Sequence, residues 1–331
     1  MGFGCNVPAI MATRTLENRN DRLLTMLINP LMSCSARLPV YVLIIGAVFP
    51  NYPGTMLFAI YFFGIALAIG VAILFKKTLF KSVETPFVME LPPYRMPTLR
   101  ATTMHMWHKG QQYLQKMGGV ILTASIIIWA LGYFPLKSEP VAVLDNELAK
   151  MEVYYNQLIN EAPTAQAKLQ LQTDSAHQLK ELGLVRESIR QENSYIGKIG
   201  KFVEPVMAPL GFEWKISVAI LTGIAAKEVV VSTMAVLFQA EEEDAESEGL
   251  QYKLRAEEYR TGPKKGQKVF TPATALALMA FILIYFPCVA VVAAINKESG
   301  KMKWAIFTMV YTTGLAWVVA FIVNNLVRIF I

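Results

Sequence analysis

Two adjacent charged side chains, Lys227 and Glu228, stand in the middle of the apolar stretch 223–237. A charge near the centre of a bilayer costs at least ~2.5–3.5 kcal/mol on insertion scales, so such residues usually face a protein interior or a polar pathway. The sequence therefore indicates a gate or transport site here. The alternative is a helix–helix ion pair that only fixes packing.

The three cysteines, Cys5, Cys34 and Cys288, are the second group with the chemistry for a site. They are odd in number and widely separated, so we expect reduced thiols and not a disulfide framework. Cys34 lies between Pro30 and Pro39, Cys288 directly follows a proline, and glycines and a proline surround Cys5. Such breaks free backbone groups that can line a cavity. The alternative for each cysteine is a small packing residue.

The elements that must position these residues are membrane helices. Of the 331 residues, 54% are hydrophobic and 17% are charged, and the mean hydropathy is +0.39. The apolar residues form runs that approach the ~20 residues needed to span hydrocarbon. We therefore predict an all-α, polytopic helical membrane protein in contact with lipid. The net charge of +6 does not indicate nucleic acid, because much of the basic excess flanks the apolar runs.

Six segments have the length and hydropathy expected of membrane spans. They are residues 23–49, 55–75, 118–134, 214–238, 272–295 and 304–327. The basic loop after the second span places that loop in the cytoplasm by the positive-inside rule.

Two of the apolar segments repeat one another. Residues 2–16 can be laid on residues 223–237 without a gap, so that Asn6 meets Lys227. In each half a Pro-flanked cysteine follows the polar interruption about thirty residues later, once the charged insertion 241–271 is left out. Paired interruptions in two repeats are a sequence signal for a transporter binding site.

The predicted organisation has four parts, which differ in polarity. They are a first repeat and following span at 1–75; a cytoplasmic connector, interfacial helix and third span at 76–135; an extramembrane helical hairpin at 136–201; and a second repeat at 202–331. The second repeat contains the charged insertion 241–271, which we expect to be a flexible cytoplasmic loop.

Five short motifs resemble the membrane region of FeoB, the bacterial ferrous iron transporter family. They are GCNVP at 4–8, MSCSAR at 32–37, LPPYR at 91–95, AAKEVVVS at 225–232 and YFPC at 285–288. The resemblance implies that the repeats are Gate domains, shared with nucleoside-transporter-like proteins. It also implies a multi-pass protein of the bacterial inner membrane that carries Fe²⁺.

FeoB proteins resemble a fusion of a cytosolic GTP-binding domain to this membrane region. The sequence contains no Gly-x-x-x-x-Gly-Lys-Ser/Thr phosphate loop. We therefore expect no enzyme activity from this chain, which we interpret as a fragment or split subunit of a GTPase-coupled uptake system. GTP would act only through a GTP-binding domain supplied upstream or by a separate chain. A FeoA-like small protein and a homo-oligomer are further possible partners.

The resemblance leads to a hypothesis for the site, with no catalytic or cofactor-binding residues. The predicted metal ligands are the thiols of Cys5, Cys34 and Cys288. The predicted transport or gate residues are Asn6 and Glu228, as oxygen donors, and Lys227, as a charge balance or gate. Thiolate ligands favour Fe²⁺ over the harder Mg²⁺ and Ca²⁺. The alternatives are a Gate-type carrier of an organic solute such as a nucleoside, and a non-transporting membrane subunit that anchors a separate GTPase.

Overall fold

The computed structural model describes residues 4–80, 98–135, 139–161, 165–238, 248–259 and 266–330. Within these residues it contains fourteen α-helices, which we number α1 to α14, and no strand. The all-α fold expected from the sequence is confirmed for this part of the chain. The LPPYR motif at 91–95 lies outside the described residues.

The first repeat consists of three short helices, α1 (Asn6–Ala12), α2 (Arg19–Ile28) and α3 (Leu38–Val48). The side chain of Asn18 accepts a hydrogen bond from the backbone N–H of Asn20 and so caps α2. Two 3₁₀ turns separate α2 from α3, where the prolines of this segment interrupt regular helix. Together α2 and α3 form a broken span.

Two long helices follow the first repeat. Helix α4 (Pro53–Thr78) corresponds to the second predicted span and ends at the lysines that the sequence places after it. Helix α5 (Leu99–Tyr133) is continuous over 35 residues, so the predicted interfacial helix and the predicted third span form a single element.

The polar middle of the chain forms helices α6 (Glu139–Glu161) and α7 (Ala165–Asn193), which pack against one another as an antiparallel pair. An ion pair between Arg186 and Asp145 joins them. The two helices match the predicted helical hairpin, and its place outside the membrane stays a prediction.

The second repeat begins with α8 (Tyr195–Met207), α9 (Trp214–Thr222) and α10 (Val229–Leu237). The structure divides the predicted span 214–238 into α9 and α10, with the break at 223–228. Each has nine residues and is therefore about 14 Å long, which is less than half of a hydrocarbon core of ~30 Å.

Part of the charged insertion is folded, and the prediction of a flexible loop is wrong for that part. Helix α11 (Glu248–Ala256) packs against α3 of the first repeat. Leu250 and Leu254 are fully buried in the main core. Arg255 donates hydrogen bonds to two backbone carbonyl groups at the C-terminal end of α3. The leucines lie four residues apart, on one face of α11, and this apolar face overrides the polar composition around it.

The last three helices are α12 (Pro272–Ile284), α13 (Val289–Ser299) and α14 (Met302–Phe330). Helix α12 is the centre of the fold: eleven of its thirteen residues are buried, and it packs against α3, α4 and α14. A helix that is apolar on all sides is expected in such a position.

Four of the six predicted spans correspond to helical segments long and apolar enough to cross a membrane within the described residues. These are Arg19–Val48, Pro53–Thr78, Pro272–Ser299 and Met302–Ile329. The protein is thus a multi-pass membrane protein, in which the first and third of these segments carry a break.

Candidate functional site

The breaks of both repeats meet at a cavity of about 270 Å³. Four short segments line it: residues 4–7, residues 34–37, residues 225–228, and residues 287, 288, 290 and 291. The first two belong to the first repeat, and the last two belong to the second. Neither repeat forms the wall alone.

All six residues that the sequence singles out lie in this wall. They are Cys5, Asn6, Cys34, Lys227, Glu228 and Cys288. They differ in depth: Asn6, Cys34 and Lys227 are buried, the Cys288 side chain is half-buried, and Cys5 and Glu228 are exposed. The cavity therefore offers thiol groups from its surface to its interior.

Each cysteine occupies the residue directly before a helical segment. Cys5 precedes α1, Cys34 precedes the 3₁₀ turn Ser35–Arg37, and Cys288 precedes α13. The first backbone N–H groups of a helix lack intrahelical partners and carry partial positive charge, which favours negative charge beside them. The effect is best founded for Cys288, because α13 has eleven residues. The breaks thus place sulfur where the negative charge of a metal-bound thiolate is stabilised.

A backbone hydrogen bond closes the break in the same way in both repeats. The N–H of Ser35, directly after Cys34, donates to the carbonyl of Gly4 at 2.9 Å. The N–H of Val289, directly after Cys288, donates to the carbonyl of Ile224 at 3.1 Å. The sequence alignment pairs Gly4 with the residue after Ile224, so the two bonds correspond within one position.

Lys227 is buried, with 4% of its surface exposed. Its Nζ lies 4.3 Å from the centroid of the Tyr285 ring, and it has no hydrogen-bond partner among the residues described. Within the same part of the chain, no ion pair joins Lys227 to Glu228 or to another carboxylate. The structure therefore does not support the alternative of a helix–helix ion pair.

Arg37 is a residue of the cavity wall that our sequence analysis did not select. It is fully buried, and its guanidinium donates to the backbone carbonyls of Met32 at 2.9 Å and Pro30 at 3.0 Å. These bonds hold the irregular segment before α3 in which Cys34 lies. A signal was available, because Arg37 is a charge within an apolar span, as Lys227 is.

Apolar contacts place α1 against the second repeat. Val7 and Ile10 are buried in a cluster with Val291 and Ile295 of α13. This packing brings the start of α1, with Cys5, to the start of α13, with Cys288.

An ion pair between Arg14 and Glu298 joins the chain after α1 to the end of α13. The hydrogen bond to Glu298 raises the pKa of the Arg14 guanidinium above its ordinary value. The pair therefore stays charged near neutral pH and reinforces the contact between the two repeats.

The thiols share the cavity without forming one coordination sphere. Among the residues that the structure describes, no three His, Cys, Asp or Glu side chains come close enough together to hold a metal ion. The arrangement therefore suits successive, incomplete contacts with a passing ion better than a permanent metal centre.

Two protein-family models match the chain. The Gate model, described as nucleoside recognition, matches residues 1–48 and 114–302, which is more than half of the chain. The chain belongs to the Gate family. A second model, described as the C terminus of ferrous iron transport protein B, matches residues 57–109, between the two parts of the Gate match.

Relatives of this Gate chain carry the name FeoB. The chain is 52% identical over 326 residues to an Fe(2+) transport protein A/Fe(2+) transporter FeoB fusion protein of Porphyromonas gingivalis, covering 98% of this chain and 37% of that protein. It is 38% identical over 325 residues to Fe(2+) transporter FeoB of Methanocaldococcus jannaschii, covering 98% of this chain and 40% of the relative.

The corresponding figures for Fe(2+) transporter FeoB of Campylobacter jejuni are 37% identity over 331 residues, 99% of this chain and 45% of the relative. The chain thus spans less than half the length of these curated relatives. No solved structure matches it. The resemblance to FeoB is confirmed, and the names of the relatives agree with a transporter and not an enzyme.

Proposed function

We propose that this chain is the permease part of a FeoB-like uptake system and that Fe²⁺ crosses through the cavity between the two Gate repeats. The observation that carries the proposal is the meeting of all three thiols of the chain in one cavity, at the breaks of both repeats. Packing residues scattered over three distant segments would have no reason to converge in this way.

The wall of the cavity has the ligand chemistry that Fe²⁺ accepts. Thiolate sulfur favours Fe²⁺ over Mg²⁺ and Ca²⁺, and amide or carboxylate oxygen completes its coordination. The Oδ1 atom of Asn6 is buried without a hydrogen-bond partner among the described residues, so it is available as an oxygen donor. Glu228 is exposed at the same cavity and supplies a carboxylate where an ion enters or leaves.

The spacing of these donors suits transport. A conducting site must attract an ion and then release it, so several weak sites serve better than one strong site. The thiols lie at different depths and do not gather around one point. In our proposal the ion passes from one thiol to the next and exchanges ligands stepwise.

The remaining parts of the proposal concern location and partners. The chain would lie in the bacterial inner membrane, surrounded by lipid. GTP would act through a GTP-binding domain supplied upstream or by a separate chain. A FeoA-like protein is a candidate partner, and homo-oligomers are possible. The relative in which Fe(2+) transport protein A and FeoB are fused supports the first of these associations.

The test replaces each cysteine in turn by serine in a full-length transporter that contains this region. Uptake of radioactive iron is measured in cells that lack other ferrous iron transporters. Each substitution, C5S, C34S or C288S, should lower the initial uptake rate by roughly tenfold, the scale of effects seen when a metal site is impaired. Equal membrane levels of each variant are verified by immunoblot. Unimpaired uptake in all three variants would sink the thiol pathway.

The Gate model's description as nucleoside recognition motivates one alternative, a carrier of nucleosides. The same cells are therefore assayed for uptake of a labelled nucleoside. The cavity of about 270 Å³ lies below the ~300–1,000 Å³ typical of organic ligand pockets, which favours an ion. Uptake of the nucleoside that depends on this chain would favour the alternative.

A further inference from the structure

The ammonium group of Lys227 is itself a cation inside the cavity. It lies over the Tyr285 ring, 4.3 Å from the centroid, without a hydrogen-bond partner or a paired carboxylate among the described residues. An unpaired charge at such a position in a membrane protein is expensive and is usually kept for function. The structure therefore requires a reason for a lysine here.

We propose that Lys227 is a tethered cation: its ammonium holds the place of the transported ion in the empty cavity, and it must move away when a divalent cation binds. Lys227 then competes with the metal and keeps the affinity of the cavity low. This inference rests on the proposed function and specifies how that same site is regulated.

The contact that holds the ammonium is suited to release. An aromatic face attracts a cation through its quadrupole and carries no net charge, so a second cation can displace the first without leaving a carboxylate unpaired. Lys215 shows the contrasting arrangement in the same fold. Its Nζ also lies over a ring, that of Phe238 at 4.9 Å, but it forms a 2.5 Å ion pair with Glu257 as well.

The backbone around Lys227 brings the ring and the ammonium together. Lys227 lies in the non-helical break 223–228, directly opposite the irregular segment that begins at Tyr285. A Cβ atom at Gly223 would lie 2.5 Å from the hydroxyl oxygen of Tyr285 and 2.4 Å from a methyl carbon of Val230. Only glycine at this position lets the tyrosine approach the break so closely.

Repulsion between the ammonium and a divalent ion gives the competition its strength. Both would occupy the same small cavity, where the protein screens charge less than water does. Arg37 is buried in the same wall, but its guanidinium donates to backbone carbonyls, which fixes it in place. Lys227 is therefore the cation of this wall whose head group has no polar contact to lose when it moves.

The alternative role, charge balance for metal-bound thiolates, predicts the opposite effect. If Lys227 stabilised the loaded site, removing its charge would weaken metal binding. If Lys227 competes with the ion, removing its charge strengthens metal binding. The sign of the change therefore separates the two roles.

The experiment measures binding of Co²⁺ to the full chain in detergent micelles by titration calorimetry and by the thiolate-to-cobalt absorption band. Lys227→Met should bind Co²⁺ roughly tenfold or more tightly than wild type, and Lys227→Gln should do the same. Lys227→Arg keeps the charge and should stay near wild type. The matched control is Lys198→Met, which removes an exposed lysine 5.8 Å from the centroid of the Tyr195 ring, outside the cavity, and should change nothing.

The outcomes separate this inference from the proposed function. Equal or weaker Co²⁺ binding by both uncharged variants, with the thiolate band present, overturns the tethered cation and leaves the thiol pathway intact. Absence of the thiolate band in wild type and in every variant overturns both. Size-exclusion chromatography before each titration verifies that the variant is folded.

Discussion

The buried ion pair between Lys215 and Glu257 offers a sharp test of how the charged insertion is attached to the second repeat. The Nζ and Oε1 atoms lie 2.5 Å apart, and the two side chains are 6% and 13% exposed. Lys215 belongs to α9, whereas Glu257 directly follows α11 in the insertion. The substitution Lys215→Met removes the positive charge and leaves the apolar part of the side chain in place.

The expected loss follows from the burial of the pair. Removing one partner of a buried ion pair costs about 3–5 kcal/mol, because a charge stays in a poorly solvated place. The contact of Lys215 with the Phe238 ring, at 4.9 Å, adds about 0.5–2 kcal/mol to the lost stabilisation. We therefore expect Lys215→Met to lower the free energy of unfolding by about 4–6 kcal/mol.

The second substitution, Glu257→Gln, makes the prediction specific to charge. Combined with Lys215→Met it removes the uncompensated carboxylate, so the double variant should regain most of the loss. Stability is measured by equilibrium unfolding with SDS in mixed micelles, followed by far-UV circular dichroism. The control Lys198→Met, at an exposed site, should stay within about 0.5 kcal/mol of wild type. A loss below about 1 kcal/mol for Lys215→Met, or a double variant as unstable as the sum of both single variants, would refute the reasoning.

Two further predictions concern buried or capping arginines. Arg37→Met leaves two backbone carbonyls without their donors and should loosen the segment that carries Cys34, so the rate of Cys34 alkylation by a maleimide should rise about tenfold; an unchanged rate contradicts the positioning role. Arg255→Ala removes two hydrogen bonds to the end of α3 and should cost about 2 kcal/mol, with faster hydrogen exchange in α11. Unchanged exchange there would show that the buried leucines alone hold α11.

Local signals in the sequence were sufficient to select the cavity wall. Prolines and glycines beside Cys5, Cys34 and Cys288 mark breaks, and the charge of Lys227 within an apolar run marks a polar environment. These signals depend on residues close together in the chain. The internal repeat then related the two halves, within one position of the hydrogen bonds that the structure shows.

The features that the sequence did not reveal depend on contacts between distant parts of the chain. Helix α11 is stable because Leu250 and Leu254 are buried in the main core and because Arg255 reaches α3, about two hundred residues earlier. The local composition of this insertion is polar and contains no indication of that partner. Likewise, the unpaired state of Lys227 and its contact with Tyr285 appear only when the two segments are placed together.

The packing of α1 against α13 has a consequence for biosynthesis. Val7 and Ile10 are covered by Val291 and Ile295, so the apolar face of α1 waits until nearly the whole chain has been translated before it finds its protein neighbours. Contacts so distant along the chain form late and are slow, because a long loop must close first. The cavity, whose wall includes the start of both helices, is therefore among the last parts of the molecule to be completed. A partly translated chain has the first two thiols but no route for an ion between the repeats.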